Sequence, residues 1–264
     1  MRDNNKVEDI AFNFQECIGV VSGGSQGIGK AIINELINSG AKVYSIDPKF
    51  KKNDTITESS KMIAYEGCTD NEDHVREFKE IISRQEGKID FLVNNAGIYF
   101  YRKIEESTTS DFNRIVDVNL RGTFNMVKYL LPLLRKSSRA AIVNVASVSG
   151  QRTEKGHSLY SMTKGGILAL TKGLAADFGE FGIRVNSVSP GNIKTPMNDS
   201  DILEQAKIRG VDVATVESEY SMGSILQRRG NVNEVASAVL FLLSDGASYI
   251  NGSDIIIDGG LFLI

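Results

Sequence analysis

Tyr160 and Lys164 stand four residues apart in a run, 157–178, whose apolar members Leu168, Leu170, Leu174 and Phe178 recur near helical period. Positions four apart share a helix face, so the phenol and the ammonium point the same way. A neighbouring ammonium favours phenolate and lowers a tyrosine pKa from its usual value of about 10. The pair is therefore expected to serve as a general base near neutral pH. A lone Tyr-x-x-x-Lys is common by chance, and its weight comes from its company. Ser147 follows the apolar run 140–145 and so falls at the carboxyl end of a strand, the edge where open α/β sheets hold ligands. Asn119 sits among apolar neighbours in a long helical stretch, 108–135. A mid-helix asparagine is usually solvated or bound to backbone, and alone it says little.

A second group of residues has the chemistry of a nucleotide site. The apolar run 17–22 reads as a buried strand, and Gly23, Gly24, Gly27 and Gly29 follow at once. Residues 30–39 then carry Ile32, Ile33, Leu36 and Ile37 at helical spacing, closed by Gly40. Strand, glycine turn and helix are the context that a dinucleotide pyrophosphate requires, because the helix N-terminus offers N–H groups and the positive end of its dipole. The spacing is Gly-x-x-x-Gly-x-Gly rather than Gly-x-Gly-x-x-Gly. The next strand, 42–46, ends in Asp47, about 20 positions beyond the turn and placed for the adenosine ribose hydroxyls. The same carboxylate repels a 2′-phosphate, so NAD is expected over NADP. Lys49, Lys51 and Lys52 lie just beyond and blunt that preference.

The elements that position these groups alternate along the chain. After Asp47, strands are expected at 62–65, 89–93, 140–145, 182–189 and 253–257, and helices at 71–85, 108–135, 157–178 and 232–243. Such alternation predicts a single α/β domain, a Rossmann-like, doubly wound parallel sheet with helices on both faces. Asn94-Asn95-Ala96-Gly97 follows the fourth strand, where small residues let a backbone pass close to a ligand. Tyr99 belongs to an aromatic group, 98–101, at the mouth of the expected crevice or packed within its loop.

Taken in order, Ser22-Gly23…Gly27-Ile28-Gly29, Asn94-Asn95-Ala96-Gly97, Asn119, Ser147, Tyr160-x-x-x-Lys164 and Pro190-Gly191…Thr195 resemble the short-chain dehydrogenase/reductase family over nearly the whole chain. The resemblance implies hydride transfer between a secondary alcohol and a nicotinamide. Tyr160 is then the acid or base, Lys164 its partner and a ligand of the nicotinamide ribose, and Ser147 a hydrogen-bond donor to the substrate oxygen. Asn119 holds a water that links Lys164 to solvent. Gly23, Ser25, Gln26, Gly27, Ile28, Gly29, Asp47, Cys68, Asn94, Ala96, Gly97, Pro190, Gly191 and Ile193 join Tyr160 and Lys164 around the cofactor, with Thr195 at the carboxamide. The segment 196–229 resembles the family's variable substrate lid. Ser149, His157, Tyr99 and Met197 are the candidate substrate contacts.

Two departures stand out. Ser22 replaces the usual threonine and keeps its hydroxyl. Gly67 falls where the family commonly has an aspartate for the adenine amino group, which leaves the Cys68 backbone, Asp70 or Glu66 to substitute. Asp47 and the polar segment 151–157 favour a sugar, polyol or related small hydroxy compound as substrate. A 3-oxoacyl thioester, reduced in the opposite direction, is the alternative, and a dinucleotide-binding sensor without turnover the distant one.

The bulk properties bound the rest. A net charge of −3 gives no footprint for nucleic acid. No apolar run reaches the roughly 18 residues of a membrane span, and the N-terminus lacks the apolar core of a signal peptide. The two cysteines, Cys17 and Cys68, are too few for a disulfide framework, and no Cys/His cluster has metal-ligand spacing. A cytoplasmic location is expected, with no metal, no membrane and no nucleic-acid partner. The family resemblance implies a homotetramer, or a homodimer, paired through 108–135 and 157–178 and often through the final strand. The apolar tail 261–264 is expected at a subunit contact, because exposed it would be a liability.

Overall fold

Short runs rich in valine and isoleucine become strands, and the amphipathic stretches between them become helices. The computed structural model describes residues 12–51 and 61–263. Lys52, most of the polar segment expected after Phe50, and Ile264 lie outside the described residues. Within them, strands β1 (Ile18–Ser22), β2 (Lys42–Asp47), β3 (Met62–Glu66), β4 (Phe91–Asn94), β5 (Ala141–Val145), β6 (Arg184–Pro190) and β7 (Asp254–Ile257) form one sheet. Its order is β3-β2-β1-β4-β5-β6-β7, and every pairing is parallel. The order reverses between β1 and β4, which opens a crevice at the carboxyl ends of the strands.

Successive strand residues point to opposite faces, and both faces are covered. Val21, Val43, Val93 and Val143 face helices α1 (Gly27–Asn38) and α8 (Val232–Leu243), packing with Ile32, Leu36, Val239 and Leu240. Val20, Tyr44, Leu92 and Ile142 face the other way. There they meet Phe78 of α2 (Glu72–Gln85), Leu130 of α4 (Gly122–Leu134) and Phe178 of α5 (Ser158–Phe178). Strands buried on both sides explain the continuous apolar runs in the sequence.

The stretch expected as one helix over 108–135 is broken. Thr108 caps α3 (Thr109–Val116) in a reciprocal pair with Asp111, a π turn follows at Asp117–Arg121, and α4 continues from there. The π turn carries Asn119. π turns inside helices often mark functional sites because they re-aim one side chain.

Beyond β6, α6 (Pro196–Arg209) and α7 (Val213–Met222) fold over the crevice on a small core of Ile202, Ala206, Val216 and Tyr220. The buried Arg229 guanidinium ties them together through Asp199, at 2.5 Å, and Glu217, at 3.5 Å.

Candidate active site

The glycine turn is shaped by close approach. Gly23 has φ +71°, and a Cβ there would lie 2.8 Å from Ala96 Cα. A Cβ on Gly29 would lie 2.1 Å from the Gly23 carbonyl oxygen, so only glycine lets α1 start this close to β1. Gln26, at the helix N-cap, makes no side-chain cap and the first turn holds no acidic residue. The leading amides of α1 therefore face the crevice, a cradle suited to a pyrophosphate. Asp47, at the end of β2, holds the turn from the other side. Its Oδ2 accepts from Ser25 N and Ser25 Oγ, at 3.1 and 2.8 Å, and its Oδ1 accepts from Lys49 N. The Ser22 hydroxyl accepts from the amides of Asn95 and Ala96, both at 3.1 Å, which fixes the end of β4 beside β1. Glycine turn, helix end and carboxylate fit a nicotinamide dinucleotide.

The reacting groups lie further along the same crevice. Lys164 is 6 % exposed, and its Nζ donates to the Val145 carbonyl at 2.8 Å. The Nζ stands 5.7 Å from the Tyr160 ring centroid. Burial pushes the Lys164 ammonium down to about 8. Burial also pushes the Tyr160 phenol up to about 12, while the Ser147 hydroxyl beside it pulls the other way. This corrects the expectation of a tyrosine lowered by its lysine. Desolvation is the leading cause for the Tyr160 ring on the cavity wall, and the lysine's own bond goes to the backbone. Asn119 lies beneath. Its Oδ1 accepts from Ile98 N, and its Nδ2 donates to the Ile98 carbonyl and Thr163 Oγ1. Gly97 is its link to Lys164: a Cβ there would meet Asn119 Oδ1 at 3.3 Å and Lys164 Nζ at 3.6 Å.

One cavity of about 900 Å³ joins the two regions, near the upper end of the range for ligand pockets. Gly23, Ser25, Gln26, Gly27, Ile28, Asp47, Cys68, Ala96, Gly97, Ser147, Tyr160, Lys164, Pro190, Gly191, Ile193 and Thr195 all line it. So do the substrate candidates Tyr99, Ser149, His157 and Met197. The Tyr99 hydroxyl bonds His157 Nε2 at 2.8 Å, and the Tyr99 ring stands edge-on to Tyr160, 5.1 Å between centroids.

Known proteins resemble this chain in sequence and fold. A protein-family model described as enoyl-(acyl carrier protein) reductase matches residues 23–262. The chain is 34% identical over 249 residues to the 3-oxoacyl-(acyl-carrier-protein) reductase of Thermotoga maritima, covering 92% of this chain and 97% of that one. It is 35% identical to the L-fucose dehydrogenase of Mus musculus, over 91% of this chain and 86% of that one. The ligand-free aldohexose dehydrogenase of Thermoplasma acidophilum superposes with a TM-score of 0.84 at 34% identity, over 95% and 96% of the two chains. The chain belongs to the short-chain dehydrogenase/reductase family. As a family member it is an oxidoreductase whose cofactor is NAD(H) or NADP(H).

Three of the residues expected at the site stand behind the cavity wall rather than in it. Asn94 points into the sheet and donates to Asn144 Oδ1 at 2.8 Å, tying β4 to β5. The adjacent Asn95 lines the cavity instead, with its Nδ2 donating to the carbonyls of Ser22 and Gly23. Gly29 acts by packing, and Asn119 by bonding the Ile98 backbone. The Cys68 amide, one candidate for the adenine, is already donated to His74 Nδ1. Asp70 lines the cavity, so of the two acidic candidates it is the one in place. At Gly67 a Cβ would lie 2.6 Å from the Tyr65 ring, so a side chain there would require that ring to move.

Sequence reasoning missed Asp201, Gln205 and Tyr220, which close the substrate end of the cavity from α6 and α7. Burial followed by the Asp201 carboxylate raises the Tyr99 pKa, and the same two causes lead for Tyr220. Among the described residues there is no cluster able to hold a metal ion, and no helix is long and apolar enough to cross a membrane.

Proposed function

We propose that this protein is an NAD-dependent dehydrogenase of a secondary alcohol, a sugar, polyol or related small hydroxy compound. One observation carries the reading: Ser147, Tyr160 and Lys164 meet in the cavity that also holds Asp47 and the glycine turn. When bound, the nicotinamide supplies the acceptor or donor of the hydride. Everything else falls to the chain. In oxidation the Tyr160 phenolate takes the hydroxyl proton of the substrate, and in reduction the phenol returns it. Ser147 donates a hydrogen bond to the substrate oxygen where charge develops. Lys164 steadies the phenolate by its charge and orients the nicotinamide ribose. Asn119 positions Lys164 by holding the Ile98 backbone and a bridging water.

Asp47 accepts from the ribose hydroxyls and disfavours a 2′-phosphate, so NAD is preferred. Lys49 does little to offset this, since its Nζ already donates to Gln26 at 3.1 Å. The leading amides of α1 hold the pyrophosphate, Asp70 takes the adenine in place of the missing aspartate, and Thr195 meets the carboxamide. The segment 196–229 acts as the substrate lid. The protein works as a homotetramer or homodimer through α4 and α5, a reading supported by the exposed Phe124 and Met162 on those helices. The tail completes a subunit contact near the site: Leu261 lines the cavity while Leu263 is exposed.

Reduction of a 3-oxoacyl thioester is the second reading, favoured by the Thermotoga relative. The test is turnover of NAD and NADP, separately, with sugars, polyols and simple secondary alcohols. NAD reduction with one of them supports the proposal. Silence with all, together with NADPH oxidation by a 3-oxoacyl substrate, would replace it with the second reading.

A further inference from the structure

The cavity ends in a polar cluster that hydride transfer itself does not use. Asp201 of α6 is 5 % exposed and lines the cavity. Its Oδ2 accepts from the hydroxyl of Tyr220 on α7. Its Oδ1 is buried and has no partner. A second buried polar atom nearby is also unpartnered. His157 gives its Nε2 to the Tyr99 hydroxyl, and its Nδ1 bonds to nothing. Tyr99 joins the two: its hydroxyl bonds His157 Nε2 and lies within hydrogen-bonding reach of the Asp201 carboxylate, while its ring stands edge-on to Tyr160, so a Tyr99 proton committed to His157 leaves Asp201 Oδ1 open.

Leaving such atoms unsatisfied is costly, more so for a charged group. Proteins keep that cost where a ligand removes it. The missing partner of a carboxylate oxygen is a hydrogen-bond donor. The donor belongs to a part of the substrate beyond the reacting carbon, because Tyr99 stands between Asp201 and Tyr160. Arg209, a lid cation on the cavity wall, is already held by Glu219 at 2.5 and 2.7 Å. An acyl chain here would dehydrate Oδ1 and offer it nothing.

We infer that Asp201 Oδ1 accepts a hydrogen bond from a substrate hydroxyl on a carbon other than the reacting one, so that the substrate is a polyhydroxy compound. His157 Nδ1 supplies the neighbouring polar contact, and Tyr220 holds the carboxylate in place. This rests on the secondary-alcohol reading above and narrows it.

The test compares glucose and ribitol with their monodeoxy analogues and with butan-2-ol. Wild type, Asp201→Ala and Asp201→Asn are each assayed with NAD. A hydrogen bond to a charged acceptor is worth about 10- to 100-fold. The wild-type protein is expected to favour a polyol over one monodeoxy analogue by that factor in kcat/KM. Asp201→Ala is expected to lose that preference, and Asp201→Asn, which keeps an acceptor, to recover part of it. Calorimetric binding of the same pairs to the protein–NADH complex reads the preference without turnover. A wild-type protein that oxidises butan-2-ol but does not distinguish polyol from deoxy analogue overturns the site and leaves the dehydrogenase reading intact. Equal losses for polyol and butan-2-ol in Asp201→Ala overturn it too, since they mean a structural role. Tighter binding of an amino alcohol than of any polyol also overturns it, by making Asp201 a cation site. A binding preference without any oxidation supports the site and sinks the dehydrogenase reading.

Discussion

Replacing Lys164 by methionine is expected to stabilise the cofactor-free protein while abolishing its activity. Burial lowers the Lys164 pKa from its ordinary 10.5 to about 8. At about 1.4 kcal/mol per tenfold change in proton affinity, the charged form destabilises the fold by on the order of 3 kcal/mol at neutral pH. Methionine removes that penalty in a side chain of similar length. It also leaves the Val145 carbonyl without its donor, a loss of about 1–2 kcal/mol. The net gain at pH 7 is therefore about 1–2 kcal/mol. Its pH dependence is the sharper signature. A base with a lowered pKa carries its full penalty below pH 8 and sheds it as pH rises from about 8 through 10.5, where the unfolded chain still binds the proton. The advantage of Lys164→Met should accordingly shrink and reverse over that interval. Urea unfolding of both proteins at pH 7, 9 and 10.5 measures it. A stability difference that stays constant with pH would refute the reasoning, because Lys164 would then titrate normally.

Other outcomes follow from the same geometry. With Tyr160 pushed up to about 12, the phenolate is the minor form at neutral pH and grows with pH. Alcohol oxidation should therefore accelerate between pH 6 and 9 and carbonyl reduction should not, as read from kcat/KM in both directions. Asp47→Ser should raise the NADP-to-NAD ratio of kcat/KM at least about tenfold, the equivalent of about 1.4 kcal/mol. Gly29→Ala forces a methyl against the Gly23 carbonyl and should destabilise the fold by roughly 1–3 kcal/mol, visible as a lowered thermal midpoint.

The sheet was legible because its strands are buried on both faces and read as unbroken apolar runs. The glycine turn was legible because close approach leaves only one residue type. Other features depend on contacts that a linear pattern does not carry. Apolar spacing runs straight through the π turn at Asp117–Arg121, so 108–135 reads as one helix. Asn94 and Asn95 are adjacent and alike, and only the pleat decides which faces the crevice. The neighbour of Tyr160 was readable four residues on, but its burial comes from the folded crevice, and burial sets the direction of its shift. Asp201 and Tyr220 lie nineteen residues apart on two lid helices, and only the tertiary fold brings them to His157 and Tyr99.

The most direct test of the account is the fate of the carbinol hydrogen in wild type and in Tyr160→Phe. A secondary alcohol that supports turnover is labelled with deuterium at the reacting carbon, and the reduced nicotinamide is examined for the label. Direct transfer of deuterium to the nicotinamide is expected in the wild type, and a loss of turnover of about 100-fold or more in Tyr160→Phe, the scale of a lost general base. Undiminished turnover in Tyr160→Phe, or a reduced cofactor without the label, would contradict it.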